Sequence, residues 1–233
     1  MKAMILAAGL GTRMRPLTDH VPKPLLEVGG KPLIVWHIEA LVRAGITELV
    51  INTAWLGEKL QDALGNGHQF GAHIEWSHEG EPLETAGGLI KALPLLGDSP
   101  FVVVNGDIWL RYAFSGLRER FAGMTQSAHL VLVDNPAHNP GGDFSLDADR
   151  VTMGTTLRVA SEGEHRYTFS GLSVLHPRLF SGLSEGKRPL APLLREAMAA
   201  KQVTGEYFPG PWVDVGTPAR LAELDEQIRS NPV

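Results

Sequence analysis

Met4-Ile-Leu-Ala-Ala-Gly-Leu-Gly-Thr-Arg-Met-Arg-Pro-Leu-Thr18, followed by Pro22-Lys23-Pro24, decides how the rest of the chain is read. Met4 to Ala8 is an apolar run of strand length stopped by glycine, so it reads as a buried strand. Gly9 and Gly11 carry no Cβ, so the backbone can turn sharply there and approach a ligand closely. Successive backbone N–H groups in such a turn converge on one spot and make an anion cradle, suited above all to phosphate. Arg13, Arg15 and Lys23 bring three cations to it. Lys23 precedes a proline, which favours extended backbone and a stiff loop, so the lysine is aimed. This pattern asks for a nucleoside triphosphate.

Two other phosphate loops are excluded. Met14 stands at the third glycine position of G-x-G-x-x-G, and no acidic residue ends the next strand, so the dinucleotide fingerprint fails. No Gly-Lys-Ser/Thr follows, so the Walker loop fails as well.

Composition bounds the remaining classes. The 233 residues can bury a full core, and one α/β domain is expected over 1–233. A formal net charge of −5 argues against nucleic acid as the main partner. The absence of cysteine excludes disulfides and thiolate metal sites. Nine histidines show no H-E-x-x-H or paired spacing, which disfavours zinc, and no G-x-S-x-G elbow marks a serine hydrolase. Met1-Lys2-Ala3 leads straight into the first strand, and no apolar run approaches bilayer length. A soluble, cytoplasmic protein with no membrane partner is expected, and nothing here requires an oligomer.

Strand and helix patterns then alternate as in a parallel sheet with crossover helices. Pro32 suits the first position of a helix carrying Ile34, Ile38 and Leu41, and Gly45 can end it. Leu49–Ile51 and Ile74–Trp76 read as strands, with a short helix from Glu58 to Leu64 between them. Thr85 is the expected cap of the next helix, entered through Gly87-Gly88. Phe101–Val104 is continuously apolar and should be a central strand buried on both faces. It ends in Asn105-Gly106-Asp107. Ligands bind at the carboxyl ends of strands in open parallel sheets, so Asp107 would face the first loop, although Gly106-Asp107 also fits plain turn chemistry. A carboxylate there suits Mg²⁺, which takes one or two carboxylates together with phosphate oxygens and water.

Beyond Asp107, strands are expected at Ala128–Val133, Phe144–Leu146, Val151–Leu157 and Tyr167–Leu175, with no long helix between them. That pattern implies a mixed or antiparallel extension. Leu190–Ala200 is an amphipathic helix, Trp212–Val215 a strand, and Thr217-Pro218 the cap and first turn of a last helix to Arg229. Asp214 lies in an apolar run and is costly to bury unless paired or coordinated, which makes it the second candidate metal ligand.

The string G-x-G-T-R-x-x-P ahead of P-K-P resembles the signature of the sugar-1-phosphate nucleotidyltransferases. The resemblance covers essentially the whole chain and is strongest in the first 110 residues and around Asp214. It implies a Rossmann-like, mostly parallel mixed sheet flanked by helices, with a small antiparallel sugar-binding extension, and it divides the single domain into a nucleotide-binding half, 1–110, and a sugar-binding half, 111–233. It implies nucleotide binding by Ala8, Gly9, Gly11, Thr12, Arg13, Lys23, Glu81 and Gly88, catalysis by Arg13, Lys23 and Asp107, and Mg²⁺ on Asp107 and Asp214. Sugar contacts are implied at Asn105, Gly142, Asp143, Glu162 and Gly171. Family members often carry Glu-Lys-Pro ahead of the Tyr167–Leu175 strand; here Ser161-Glu-Gly-Glu-His-Arg166 offers Glu162 for the acid and no lysine for the base. Arg158 and Arg166 are the cations flanking that gap.

Asn105-Gly-Asp-Ile-Trp109 and Asn135-Pro-x-His-Asn-Pro-Gly-Gly-Asp-Phe144 resemble the branch that joins UTP to N-acetylmuramate 1-phosphate in cell-wall recycling. Glu81-Pro-Leu-x-Thr-Ala-Gly87 also resembles the mannose-1-phosphate guanylyl branch, which is the alternative. A non-catalytic nucleotide-sugar sensor on the same fold is the third reading, disfavoured because a sensor has no need of Arg13, Lys23, Asp107 and Asp214 together.

Overall fold

The computed structural model describes residues 1–146, 155–158 and 164–231, and one nine-stranded sheet runs through it. Its strands are β1 (Ala3–Leu6), β2 (Glu48–Thr53), β3 (His73–His78), β4 (Phe101–Asn105), β5 (Ala128–Val133), β6 (Ser145–Leu146), β7 (Thr155–Arg158), β8 (Thr168–Leu175) and β9 (Val203–Tyr207). Their spatial order is β3-β2-β1-β4-β8-β5-β9-β7-β6. The first four are parallel. β8 then enters antiparallel between β4 and β5, β9 pairs parallel with β5, and β7 and β6 close the edge antiparallel. The expected class, a mixed α/β sheet with an antiparallel extension, is the one found.

Side-chain alternation explains the layering. Ala3 and Ile5 of β1 join one apolar cluster with α1 (Leu33–Arg43) and α2 (Gly57–Leu64), while Met4 joins the other with α3 (Glu84–Leu96) and α4 (Leu190–Ala199). On β4, Val102 and Val104 face the first cluster, and Phe101 and Val103 the second. A strand with apolar residues at every position is therefore covered on both sides. A third cluster of Met14, Leu33, Trp109, Val215, Leu224 and Ile228 fastens the first loop to α5 (Pro218–Ser230).

Several local expectations are corrected. Pro32 is the residue before α1, not its first, although Gly45 does end the helix with a φ of +75°. Thr85 lies inside α3, whose cap position is Leu83. The cap is unnecessary because the Ala86 and Gly87 N–H groups donate to Arg188 O at 3.0 and 3.1 Å. Thr217 caps α5 as expected and accepts from the Arg220 N–H. Part of Val151–Leu157 lies outside the described residues; Thr155–Arg158 forms β7.

Among the described residues, two strands besides the short Glu27–Val28 and Lys31–Pro32 pair had no sequence signal. β9 contains Gly205, where a Cβ would stand 2.7 Å from Leu157 Cδ1, so close packing takes the place of an apolar pattern. The other missed strand, Ile108–Leu110, pairs antiparallel with Trp212–Asp214. β9 also carries Glu206, which accepts from Tyr112 and from Arg120 at 2.8 Å. Burial raises its carboxyl pKa, but His129, Tyr112 and Arg120 outweigh burial and bring it down to about 2.

His37 of α1 is buried and donates from Nε2 to Ile108 O at 2.8 Å, which fixes the backbone next to Asp107. Burial pushes its imidazole pKa from 6.5 down to about 4, only partly opposed by Ile108 and Asp107. Between those values the unfolded chain takes up a proton that the folded chain refuses, so stability falls as pH falls through that window. Urea unfolding should show a His37-dependent loss of about 2 kcal/mol between pH 7 and pH 5. His37→Gln should remove that part of the pH dependence; an unchanged slope would contradict the assignment.

Candidate active site

The carboxyl ends of β1, β2 and β4 open onto one crevice in which three cavities meet. The first, about 300 Å³, is lined by Gly9, Gly11, Thr12, Arg13, Lys23, Gly106 and Asp107. The second, about 230 Å³, is lined by Ala8, Gly9, Asn52, Glu79, Thr85, Asn105 and Asp107. The third, about 720 Å³, is lined by Thr85, Asn105, Gly142, Asp143, Arg166 and Arg195. Gly9 and Asp107 are common to the first two, Thr85 and Asn105 to the last two.

The first cavity is the loop read from sequence. Gly11 has a φ of +64°, and its carbonyl accepts from Met14 N–H and Thr18 Oγ1, both at 2.8 Å. A Cβ on Gly11 would lie 2.9 Å from Thr18 Cγ2, so the closed loop requires glycine. Arg13 lines the cavity. Arg15 does not; it pairs with Asp19 at 3.3 Å, which leaves two of the three expected cations.

Lys23 opens a 3-10 turn, Lys23–Leu25, and so departs from the extended form expected before a proline. The Leu25 and Leu26 N–H groups close that turn on Pro22 O and Lys23 O at 2.8 and 3.0 Å. The lysine is buried, with Nζ 2.8 Å from Asp107 Oδ2. Asp107 is held by its neighbours: Gly106 N–H donates to Leu6 O at 2.9 Å, and Val215 N–H donates to Asp107 O at 2.9 Å. A Cβ on Gly106 would lie 2.6 Å from Leu6 O, so glycine is what lets this turn sit against β1.

Asp214 is placed differently from Asp107. Its Oδ2 is engaged by Arg220 Nη1 at 2.8 Å and His138 Nε2 at 3.0 Å, and its side chain lines a neighbouring groove with Trp212 and His138. Its Oδ1 faces Gly216, which lines the first cavity; a Cβ there would be 3.1 Å away. The two carboxylates are hard oxygen donors suited to a divalent cation such as Mg²⁺. Among the described residues no group of three or more His, Cys, Asp or Glu forms a metal-binding cluster, so substrate phosphates and water would complete the shell.

The second cavity is lined by the acidic residues Glu79, Glu84 and Asp107, and not by Glu81, the residue expected there. Glu81 is exposed and lines none of the three cavities. Glu79 is buried and accepts from Asn52 Nδ2 at 2.6 Å and Leu83 N–H at 2.8 Å. Asn52 Oδ1 in turn accepts from Ala7 N–H at 2.7 Å. The sequence signal for Asn52 was a polar residue closing the apolar strand Leu49–Ile51; Glu79 had none beyond its turn-rich loop. Gly88 lies behind this pair, where a Cβ would stand 2.3 Å from Glu79 Oε1 and 3.0 Å from Asn52 Nδ2.

In the third cavity Asn105, Gly142 and Asp143 come together. Gly171, with a φ of +85°, lies behind Asn105, where a Cβ would be 2.8 Å from Asn105 Nδ2. It shapes the site from outside the lining. Glu162 lies outside the described residues. Arg158 pairs with Glu164 at 2.5 Å, while Arg166 lines the cavity.

Against this geometry, the family model described as Nucleotidyl transferase matches residues 2–144. The chain belongs to the nucleotidyl transferase family. Its relatives include an N-acetylmuramate alpha-1-phosphate uridylyltransferase of Neisseria meningitidis serogroup B, 51% identical over 227 residues and 96% of each chain. A mannose-1-phosphate guanyltransferase of Hypocrea jecorina is 47% identical over 94% of this chain, which spans 61% of that protein's length. Among solved structures, a Bacillus anthracis protein assigned as a glucose-1-phosphate thymidylyltransferase, in complex with sucrose, superposes with a TM-score of 0.84. At 22% identity, covering 100% of this chain and 97% of the other, it shows the same fold. No helix among the described residues is long and apolar enough to cross a membrane.

For this nucleotidyltransferase the tight seat of Gly88 makes a direct test. Gly88→Ala forces Glu79 or Asn52 aside, and overpacking of this kind costs about 1–3 kcal/mol. The variant should melt at lower temperature and bind nucleotide more weakly. Unchanged melting and binding would show that Glu79 does not need its present place.

Proposed function

We propose that the enzyme transfers UMP from UTP to N-acetylmuramate 1-phosphate, releasing pyrophosphate and UDP-N-acetylmuramate, as a cytoplasmic step of peptidoglycan recycling. The observation that carries this is the position of the Lys23–Asp107 pair. Asp107 lies where the phosphate cradle and the second cavity meet, and Asn105 leads from there into a cavity of about 720 Å³. Near-full-length similarity to the N. meningitidis uridylyltransferase supports the choice of sugar and base.

In this reading the triphosphate occupies the loop Gly9–Arg13 and the uridine the second cavity, near Ala8, Glu79 and Gly88. The sugar lies along Asn105, Gly142 and Asp143. A phosphate oxygen of the sugar phosphate attacks the α-phosphorus while the bond to the β-phosphate oxygen breaks in line. The protein needs no nucleophile of its own; it positions the reactants and neutralises charge. Lys23 sits where charge grows on the α-phosphoryl oxygens, and Arg13 meets the departing pyrophosphate. Asp107 and Asp214 would hold Mg²⁺, which when bound supplies charge neutralisation and orients the phosphates.

The second reading, guanylyl transfer to mannose 1-phosphate, rests on the 47% identity to the H. jecorina protein. Pyrophosphate release with UTP or GTP and each of N-acetylmuramate, N-acetylglucosamine and mannose 1-phosphates separates the two. The highest kcat/KM should belong to UTP with N-acetylmuramate 1-phosphate, chelation should abolish it, and Mg²⁺ should restore it. A preference for GTP with mannose 1-phosphate would overturn the proposal.

Lys23→Ala should lower kcat by roughly 10²–10³-fold, because an interaction that strengthens as charge develops acts on the transition state. Steady-state kinetics that showed only a raised KM for UTP would reduce Lys23 to a binding residue.

A further inference from the structure

We propose that Arg195 determines sugar specificity by taking the carboxylate of an acidic sugar 1-phosphate. This deepens the reading above and rests on it. Leu190 and Leu194 of α4 point into the core, at 7% and 2% exposure. Ala191 and Arg195 follow one turn apart on the face that lines the third cavity. Ala191 is small enough to leave the wall open below the guanidinium. Arg195 makes no hydrogen bond or ion pair with the described residues, so its five donors are available to a ligand.

Neither of the cavity's own carboxylates is paired with it. Asp143 accepts from Phe169 N–H at 2.8 Å and from Asn139 Nδ2 at 3.2 Å. Glu84 lies 3.9 Å from Lys187 Nζ. Arg166 lines the same cavity from the loop before β8, so two guanidinium groups stand there beside Asp143 and Glu84. N-acetylmuramate differs from N-acetylglucosamine by one lactyl ether, whose carboxylate matches the planar fork of a guanidinium with two parallel bonds. Mannose 1-phosphate carries no such group. The segment 161–166 has no lysine, and of the two arginines that line the cavity Arg195 is the one set on a helix, one turn from the small Ala191.

The test compares wild type, Arg195→Gln and Arg195→Lys, with UTP and N-acetylmuramate 1-phosphate in turnover. Calorimetry then measures binding of the products UDP-N-acetylmuramate and UDP-N-acetylglucosamine. Arg195→Gln should raise KM for the acidic sugar phosphate about ten- to a hundredfold, with the KM for UTP unchanged. It should weaken UDP-N-acetylmuramate by a similar factor and leave UDP-N-acetylglucosamine within twofold. Arg195→Lys should recover part of the loss. Equal weakening of both products, or no change in either, would overturn the role of Arg195 while leaving uridylyl transfer in place. A wild type that does not turn over N-acetylmuramate 1-phosphate would overturn the parent reading and this one together.

Discussion

Burying the carboxylate of Glu79 at the mouth of the sheet constrains everything around it. A buried carboxylate without donors costs several kcal/mol, so its partners cannot move independently of it. Glu79 finds them in Asn52 Nδ2 and Leu83 N–H, and Asn52 holds Ala7 N–H with its other end. Four segments are thereby tied: the end of β1 where the glycine loop begins, the end of β2, the loop after β3 and the entry to α3. Gly88 belongs to the same constraint, because a methyl group there would occupy the carboxylate's place.

The second constraint is electrostatic. Lys23 crosses 84 residues of sequence to reach Asp107. Its ammonium is a compact point charge that can meet a phosphoryl oxygen as readily as a carboxylate. The segments that deliver the pair are themselves anchored: Met14 and Val215 share one apolar cluster with Leu224 and Ile228 of α5, and His37 fixes Ile108. Packing far from the pair therefore sets the position of both charges.

Much of this was legible in the residues. Met4–Ala8 and Phe101–Val104 announced strands because their apolar runs are bounded by glycine or proline and by polar turns, and the layering follows from period-two packing on both faces. The glycine loop with Arg13 and Lys23 was legible because its spacing is local, and Asp107 because it follows the apolar strand Phe101–Val104. What escaped depends on distant partners. Glu79 and Glu81 are chemically alike and two residues apart, and only the fold brings Asn52 to one of them. Arg15 is the exception, since the Asp19 that engages it is only four residues on. The Asp214 carboxylate turned toward Arg220 and His138, which no spacing rule places beside it. β9 was hidden by Gly205, whose missing side chain is filled by Leu157.

One substrate complex is expected to run through all three cavities, with the phosphates at Lys23 and the sugar beyond Asn105. A crystal structure with UDP-N-acetylmuramate tests it most directly. The account predicts the diphosphate within hydrogen-bond reach of Lys23 Nζ and the sugar ring between Asn105 and Asp143. Density for the sugar in the groove of His138 and Trp212, on the other side of Asp214, would contradict it.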